Sequence, residues 1–215
     1  MNNGICYVIG AGTDYGLDFC PDKGDFVIAA DGGFSCLEKR GILADLVIGD
    51  FDSLKEIPKH PNTIRLKAEK DDTDMLAALR EGIRAGYKNF YIYCGTGGRI
   101  DHTLANIQTL AWLSQSGMRG FLFHKDMVIT AVTNGRLSFA EIPKGYLSVF
   151  SHTTRAEGVT LDGLKYELHN ALLTNACPVG TSNEFIGRRS EIAVEEGTLI
   201  VVLPRGAEER LVLWN

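Results

Sequence analysis

Five aspartates fall within 25 residues of this chain, in two groups that each stand at the edge of an apolar or amphipathic run. Gly49-Asp50-Phe51-Asp52-Ser53 follows Leu46-Val47-Ile48, and Lys70-Asp71-Asp72-Thr73-Asp74 opens a helical pattern. Like charges brought within about 4 Å repel by about 4 kcal/mol per pair at an effective dielectric of 20. A fold that gathers them therefore needs a cation, and an oxygen-only donor set suits Mg²⁺. Asp50 and Asp52 stand two residues apart, so an extended backbone sends both side chains to one face. With Asp74 at the amino end of the next helix, they form the candidate metal set. Mg²⁺ held by carboxylates commonly carries phosphates, which points to phosphoryl or nucleotidyl chemistry.

Cations and glycines that suit an anion lie nearby. Lys70 offers a point charge to a phosphate. Gly95-Thr96-Gly97-Gly98-Arg99-Ile100-Asp101-His102 joins a strand to a helix. Exposed N–H groups at a helix start, glycines for close approach and a forked guanidinium make an anion site. It is no Walker A loop, because no Gly-Lys-Ser/Thr follows. Arg99 is the phosphate ligand of choice there, whereas His102 reads as well as a polar helix-start residue. Asp31-Gly32-Gly33 ends another strand, where the aspartate suits a ribose or a metal-bound water and the glycines also fit a plain turn. Gly10-Ala11-Gly12 with Gly16 has the wrong spacing for a dinucleotide fingerprint and fits a tight turn as well as a phosphate cradle. Ser182 and Asn183, in a polar loop, offer donors and acceptors to a heteroaromatic ring or simply make a turn. Trp214 is either core or a stacking partner.

The elements that hold these residues change character near residue 125. Before it, strand-like runs (5–9, 26–30, 46–48, 63–66, 90–94, 120–123) alternate with helical patterns. A helix from about Phe34 to Arg40 stops at Gly41. Thr73 caps a second, with Met75, Leu76, Leu79 and Ile83 as its stripe and Gly86 as its stop. Asp101 caps a third, with Leu104, Ile107, Leu110, Ala111 and Leu113 inward. Alternating strands and helices imply βαβ units and a mainly parallel sheet, with ligands outside the strands' carboxyl ends. Every acidic or glycine-rich cluster above stands at such an end.

After Lys125 the helical period disappears. Short strand-like stretches (127–133, 136–142, 147–152, 158–161, 191–194, 199–203) are separated by Asn134-Gly135, Pro143-Lys144-Gly145, Asp162-Gly163 and Glu196-Gly197. Asn-Gly and Asp-Gly are hairpin cues. The expected fold class is α/β: an N-terminal mainly parallel α/β domain (1–125) followed by a C-terminal antiparallel β-sandwich domain (126–215).

With 215 residues, 45% hydrophobic and 23% charged, the chain has the composition of a soluble globular protein. A net charge of −5 excludes a general nucleic-acid binder, which shows a basic face. Five scattered cysteines with no C-x-x-C pair fit reduced thiols rather than a disulfide framework. No run reaches the roughly 18 apolar residues of a membrane span, and no leader pattern opens the chain. The expected location is the cytoplasm, with no nucleic-acid or membrane partner.

Taken in order, Asp31-Gly32-Gly33, Gly49-Asp50-Phe51-Asp52-Ser53, Lys70-Asp71-x-Thr73-Asp74, Gly95-x-Gly97-Gly98-Arg99-x-Asp101-His102 and Thr181-Ser182-Asn183-Glu184 resemble the thiamine pyrophosphokinase family. The resemblance runs from about residue 30 to residue 187. It implies an α/β nucleotide-binding domain joined to a β-sandwich, a homodimer with sites between subunits, and transfer of the diphosphate of ATP to thiamine to give thiamine diphosphate and AMP. It further implies Mg²⁺ on Asp50, Asp52 and Asp74, with Asp71, Thr73 and Arg99 on the nucleotide or its phosphates. Asp31 and Asp101 then line the same cleft, and Ser182 and Asn183 meet the thiamine aminopyrimidine. The proton acceptor falls to Asp71 or Asp101. Two other readings keep part of this chemistry: a kinase or pyrophosphokinase acting on another heterocyclic alcohol, and a non-catalytic nucleotide sensor. A sensor needs no full set of metal carboxylates, so the intact aspartates favour an enzyme.

Overall fold

The computed structural model describes residues 4–51, 58–67, 69 and 71–215. The chain forms two compact units, Met1–Thr109 with Leu122–Lys125 and Leu110–Phe121 with Asp126–Asn215. The expected order holds: a mainly parallel α/β unit comes first and an antiparallel β unit second.

In the first unit β1 (Ile5–Ile9), β2 (Phe26–Ala30), α1 (Gly33–Glu38), β3 (Leu46–Gly49), β4 (Thr63–Arg65), α2 (Asp74–Arg84) and β5 (Asn89–Tyr93) follow one another. The strands pair in parallel in the order β5-β1-β2-β3-β4. Cys6, Val8, Ile9, Ile28, Val47, Phe90 and Ile92 are buried. Their near-continuous apolar runs are what a parallel sheet covered on both faces requires. The chain steps from β1 to β2 on one side and later returns to pair β5 on the other. This reversal opens a crevice at the carboxyl ends of β1 and β5.

Thr73 caps α2 as expected, its Oγ1 accepting from the Leu76 N–H at 3.2 Å, with Asp74 in the first turn and Arg84 in the last. The buried face is Met75, Ala78, Leu79 and Gly82, with Leu76 and Ile83 only half-buried, so the stripe is turned slightly from the sequence expectation. Gly33 starts α1 directly over β1: a Cβ there would lie 2.0 Å from the Ile9 carbonyl oxygen. Only glycine allows that approach.

α3 (Ile100–Gln115) and β6 (Arg119–Phe123) each run from the first unit into the second. Two expectations about α3 are corrected. Asp101 sits in the first turn rather than at the cap. Leu104 is exposed, and the buried face is Asn106, Thr109, Leu110, Ala111 and Leu113. Two polar residues on the inward side conceal the helical period from an apolar count.

The second unit has two antiparallel sheets. The first orders β12 (Asn183–Phe185), β9 (Gly145–Ser151), β14 (Thr198–Pro204) and β7 (Met127–Thr133). The second orders β11 (Leu168–Thr174), β10 (Arg155–Asp162), β13 (Ser190–Ala193), β8 (Arg136–Phe139) and β15 (Leu211–Trp214). Inward residues of both meet, as where Phe139 of β8 stands edge to face with Phe185 of β12 at 5.6 Å. Asn134-Gly135, read as a hairpin cue, instead carries the chain from β7 in one sheet to β8 in the other. Asn134 takes φ 45° there, so the residue type reports the tight turn and not the pairing. Trp214 is core: it packs edge to face on Phe121 at 5.1 Å beneath the Arg119 guanidinium.

Candidate active site

The carboxyl ends of β1, β2, β3 and β5 and the start of α2 surround a cavity of about 550 Å³ in the first unit. β1 delivers Gly10, Ala11 and Gly12, β2 delivers Asp31, and β3 delivers Asp50. Thr73 and Asp74 come from the start of α2, and Gly95, Gly97, Gly98 and Arg99 from the loop after β5. His102 and Asn106 project from α3. The structure thus brings together Asp31, Asp50, Thr73, Asp74, Arg99 and His102 of the residues singled out by sequence. Asp52 and Lys70 lie outside the described residues.

Three strand ends share an unusual backbone. Asp31, Phe51 and Cys94, each just past a strand, have φ of 49°, 60° and 51°. Aspartate tolerates this region, but a buried phenylalanine and a buried cysteine there are outliers that surrounding structure must hold in place. The sharp turns redirect the chain at the sheet edge. The Asp31 N–H donates to the Ile48 carbonyl at 2.8 Å, tying the β2 turn to β3.

The glycines of the first loop have a defined purpose. The Gly12 N–H donates to the Cys94 carbonyl at 2.7 Å and the Thr13 N–H to the Thr96 carbonyl at 2.8 Å, so pairing between β1 and β5 continues into their loops. A Cβ on Gly12 would lie 2.6 Å from both carbonyl oxygens. The Gly10-x-Gly12 pair lets two backbones meet, which the turn reading anticipated only in part.

The Gly95–Arg99 loop is anchored from behind. The Asn106 Nδ2 donates to the Gly95 carbonyl at 2.6 Å, and Thr96 Oγ1 pairs with His124 Nδ1 at 2.9 Å. Sequence reasoning missed Asn106. Its signal was a polar amide at helical spacing from Arg99 and His102, the positions that turn α3 toward one face.

At the mouth, the Arg99 guanidinium grips the Asp101 carboxylate through Nε at 3.2 Å and Nη2 at 2.5 Å. That hydrogen bonding holds the Asp101 carboxyl below the usual carboxylate range and raises the Arg99 guanidinium. The pair is exposed, so it binds weakly and can exchange for another anion. Asp71 and Asp101 are exposed and are not among the lining residues. Asp72 is taken up by Arg80 at 3.0 Å.

Ser182 and Asn183 belong to the second unit. Ser182, at φ 61°, donates its N–H to Ser148 Oγ at 3.1 Å. Asn183 is buried, and its amide is committed to backbone: Oδ1 accepts from the Tyr166 and Glu184 N–H groups, and Nδ2 donates to the Tyr166 carbonyl at 2.7 Å. Asn183 thereby fixes the segment before β11 against β12.

Among the described residues the cavity wall carries three carboxylates, Asp31, Asp50 and Asp74, against one guanidinium. A polyphosphate would add to that negative charge, and hard oxygen donors of this kind fit Mg²⁺ as the compensating ion.

Residues 20–122 match the family profile described as thiamin pyrophosphokinase, catalytic domain, and residues 136–199 match that for its vitamin B1 binding domain. The thiamine pyrophosphokinase of Bacillus subtilis (strain 168) is 31% identical over 188 residues, covering 84% of this chain and 88% of that protein. Its crystal structure superposes with a TM-score of 0.79 at 26% identity, covering 93% of this chain and 98% of that one. A family protein from Enterococcus faecalis gives a TM-score of 0.80 at 29% identity over the same shares.

Proposed function

The chain belongs to the thiamin pyrophosphokinase family, and from that premise we propose that it transfers the diphosphate of ATP to the hydroxyl of thiamine, giving thiamine diphosphate and AMP. One observation carries the reading. Carboxylates from two strand ends and one helix start share a cavity with a glycine-rich, arginine-bearing loop, at the carboxyl edge of a parallel sheet.

Asp50 and Asp74, with Asp52 of the same cluster, are the residues we assign to Mg²⁺. The ion supplies neutralisation of the triphosphate when bound. The chain's own residues supply positioning. Thr73 orders the start of α2, where N–H groups favour an anion. Arg99 exchanges Asp101 for a phosphate as nucleotide enters, and its fork suits two oxygens at once. Asp31 and His102 border the nucleotide, and Lys70 adds a charge to the phosphates. The thiamine oxygen attacks the β-phosphorus as the bond from that phosphorus to the AMP oxygen breaks, so AMP leaves with the negative charge. Phosphoryl transfer of this kind asks chiefly for alignment and charge compensation. The hydroxyl proton passes to Asp71 or Asp101. Release of Arg99 makes Asp101 a stronger base than it is in the pair.

We assign thiamine recognition to the β unit, taken from residue 126 onward, where Ser182 presents its hydroxyl beside an Asn183 locked in place. The vitamin B1 binding profile spans both residues and supports this assignment. The same reading makes the protein a homodimer. The cysteine usage supports a cytoplasmic location, and no helix among the described residues is long and apolar enough to cross a membrane.

Incubating the purified protein with ATP, Mg²⁺ and thiamine and resolving the nucleotides tests the proposal. Thiamine diphosphate and AMP are expected in equal amounts. ADP as the product, or AMP release indifferent to thiamine, would overturn it.

A further inference from the structure

Beside the phosphate cavity, but built from a different donor chemistry, three side chains converge. Cys36 lies on α1, Cys94 follows β5 and opens the anion loop, and Asp14 sits in the loop after β1. One ligand atom from each lies within 4.8 Å of the other two. We propose that Asp14, Cys36 and Cys94 form a binding site for a thiophilic divalent cation of the Zn²⁺ class, distinct in donor chemistry from the carboxylate set for Mg²⁺ although Cys94 also lines that cavity.

The spacing is the main argument. Two bonds of about 2.3 Å at the tetrahedral angle hold zinc-bound sulfurs about 3.8 Å apart. Cys36 Sγ and Cys94 Sγ are 3.7 Å apart. Cys36 Sγ is also 3.3 Å from Asp14 Oδ2, close to the edge of about 3.6 Å that one sulfur and one oxygen would span around the same ion. The Asp14 and Cys94 ligand atoms lie within 4.8 Å, so an ion would complete the centre by drawing Asp14 toward Cys94.

Charge supports the same assignment. Two thiolates and a carboxylate around a divalent ion leave one negative charge. Arg40 supplies its counterpart: Nη2 donates to Asp14 Oδ1 at 2.9 Å, Nη1 meets Asp14 Oδ2 at 2.5 Å, and Nη1 lies 3.4 Å from Cys36 Sγ. A cysteine sulfur binds a metal as the thiolate, so each thiol must give up its proton. Binding releases those two protons to solvent and replaces them with metal–sulfur bonds. Sulfur donors also separate this site from its neighbour, because Mg²⁺ prefers oxygen alone.

The test uses the full chain with its thiols kept reduced by a phosphine, titrated with Cd²⁺ in excess Mg²⁺ and followed by the sulfur-to-metal absorption in the near ultraviolet. We expect one Cd²⁺ per chain, a thiolate band that excess Mg²⁺ does not remove, and competition by Zn²⁺. Cys36→Ser should weaken binding by more than about tenfold, since loss of even a supporting group costs that much at metal sites. Cys20→Ser and Cys177→Ser should bind as the parent does, and thermal melts report whether each variant is folded. An unaltered titration in folded Cys36→Ser, or removal of the band by Mg²⁺, would overturn the site. The readout is independent of catalysis, so its failure leaves the transfer reaction untouched.

Discussion

Asp50, Asp72 and Asp74 are chemically identical residues with different neighbours, and the difference predicts different phenotypes. Asp50 and Asp74 face the cavity, whereas Asp72 is spent on Arg80 at a half-exposed surface. Asp50→Asn and Asp74→Asn keep size and most hydrogen bonding but remove charge where phosphate charge must be balanced. Each should lower kcat by about a hundredfold or more and move half-maximal Mg²⁺ to higher concentration. Asp72→Asn breaks an exposed ion pair worth about 0–1 kcal/mol and should leave turnover within about twofold. Steady-state rates across a Mg²⁺ series check both, and an unchanged Mg²⁺ dependence in Asp50→Asn would remove the metal assignment. That Asp50 and Asp74 face one cavity was legible because their type and their place beside an apolar or amphipathic run are local facts. Asn106 was not, since its helical spacing from Arg99 and His102 places it on their face but does not name the carbonyl it serves, that of Gly95.

At the level of elements, the site depends on how closely α1 and the strand-end loops can approach one another. Gly33 tests this without touching a functional side chain. An alanine Cβ there would stand 2.0 Å from the Ile9 carbonyl oxygen and 2.9 Å from that of Gly10, both backbone atoms that cannot rotate away. Gly33→Ala should therefore cost about 1–3 kcal/mol, read as a lower urea midpoint with an unchanged slope. Parental stability would mean that α1 is free to move off β1. The parallel strands were readable from the sequence because burial on both faces writes continuous apolar runs such as Phe26–Ala30. β11 and β12 were not, since Leu168–Thr174 buries only Leu173 and is nearly half polar, and Asn183–Phe185 is only three residues long. Asn134-Gly135 marked a turn correctly but could not say that β7 pairs with β14 while β8 pairs with β13 and β15. Turn chemistry is local, whereas strand pairing is decided by which apolar faces need cover.

For the whole molecule the question is what covers the β unit's remaining apolar surface. Its second sheet ends in β11 on one side and β15 on the other. Leu172 on β11 is 47% exposed, and Val212 and Leu213 on β15 are 66% and 44% exposed. Edge strands of soluble proteins normally carry charge, proline or a bulge against pairing with another chain. Aliphatic side chains at both edges, with Tyr146 and Tyr166 also exposed in this unit, are the composition of an interface core rather than of a solvated rim. The homodimer proposed above gives this surface a partner. Sedimentation equilibrium at micromolar protein should then return twice the chain mass, and the melting temperature should rise with concentration, as mass action requires of an associating fold. A charge placed on an edge, Leu172→Asp or Leu213→Asp, should shift the population toward monomer while the circular dichroism of the β unit is kept. A single-chain mass at every concentration would mean that these edges face water, and that one chain must supply every contact to thiamine.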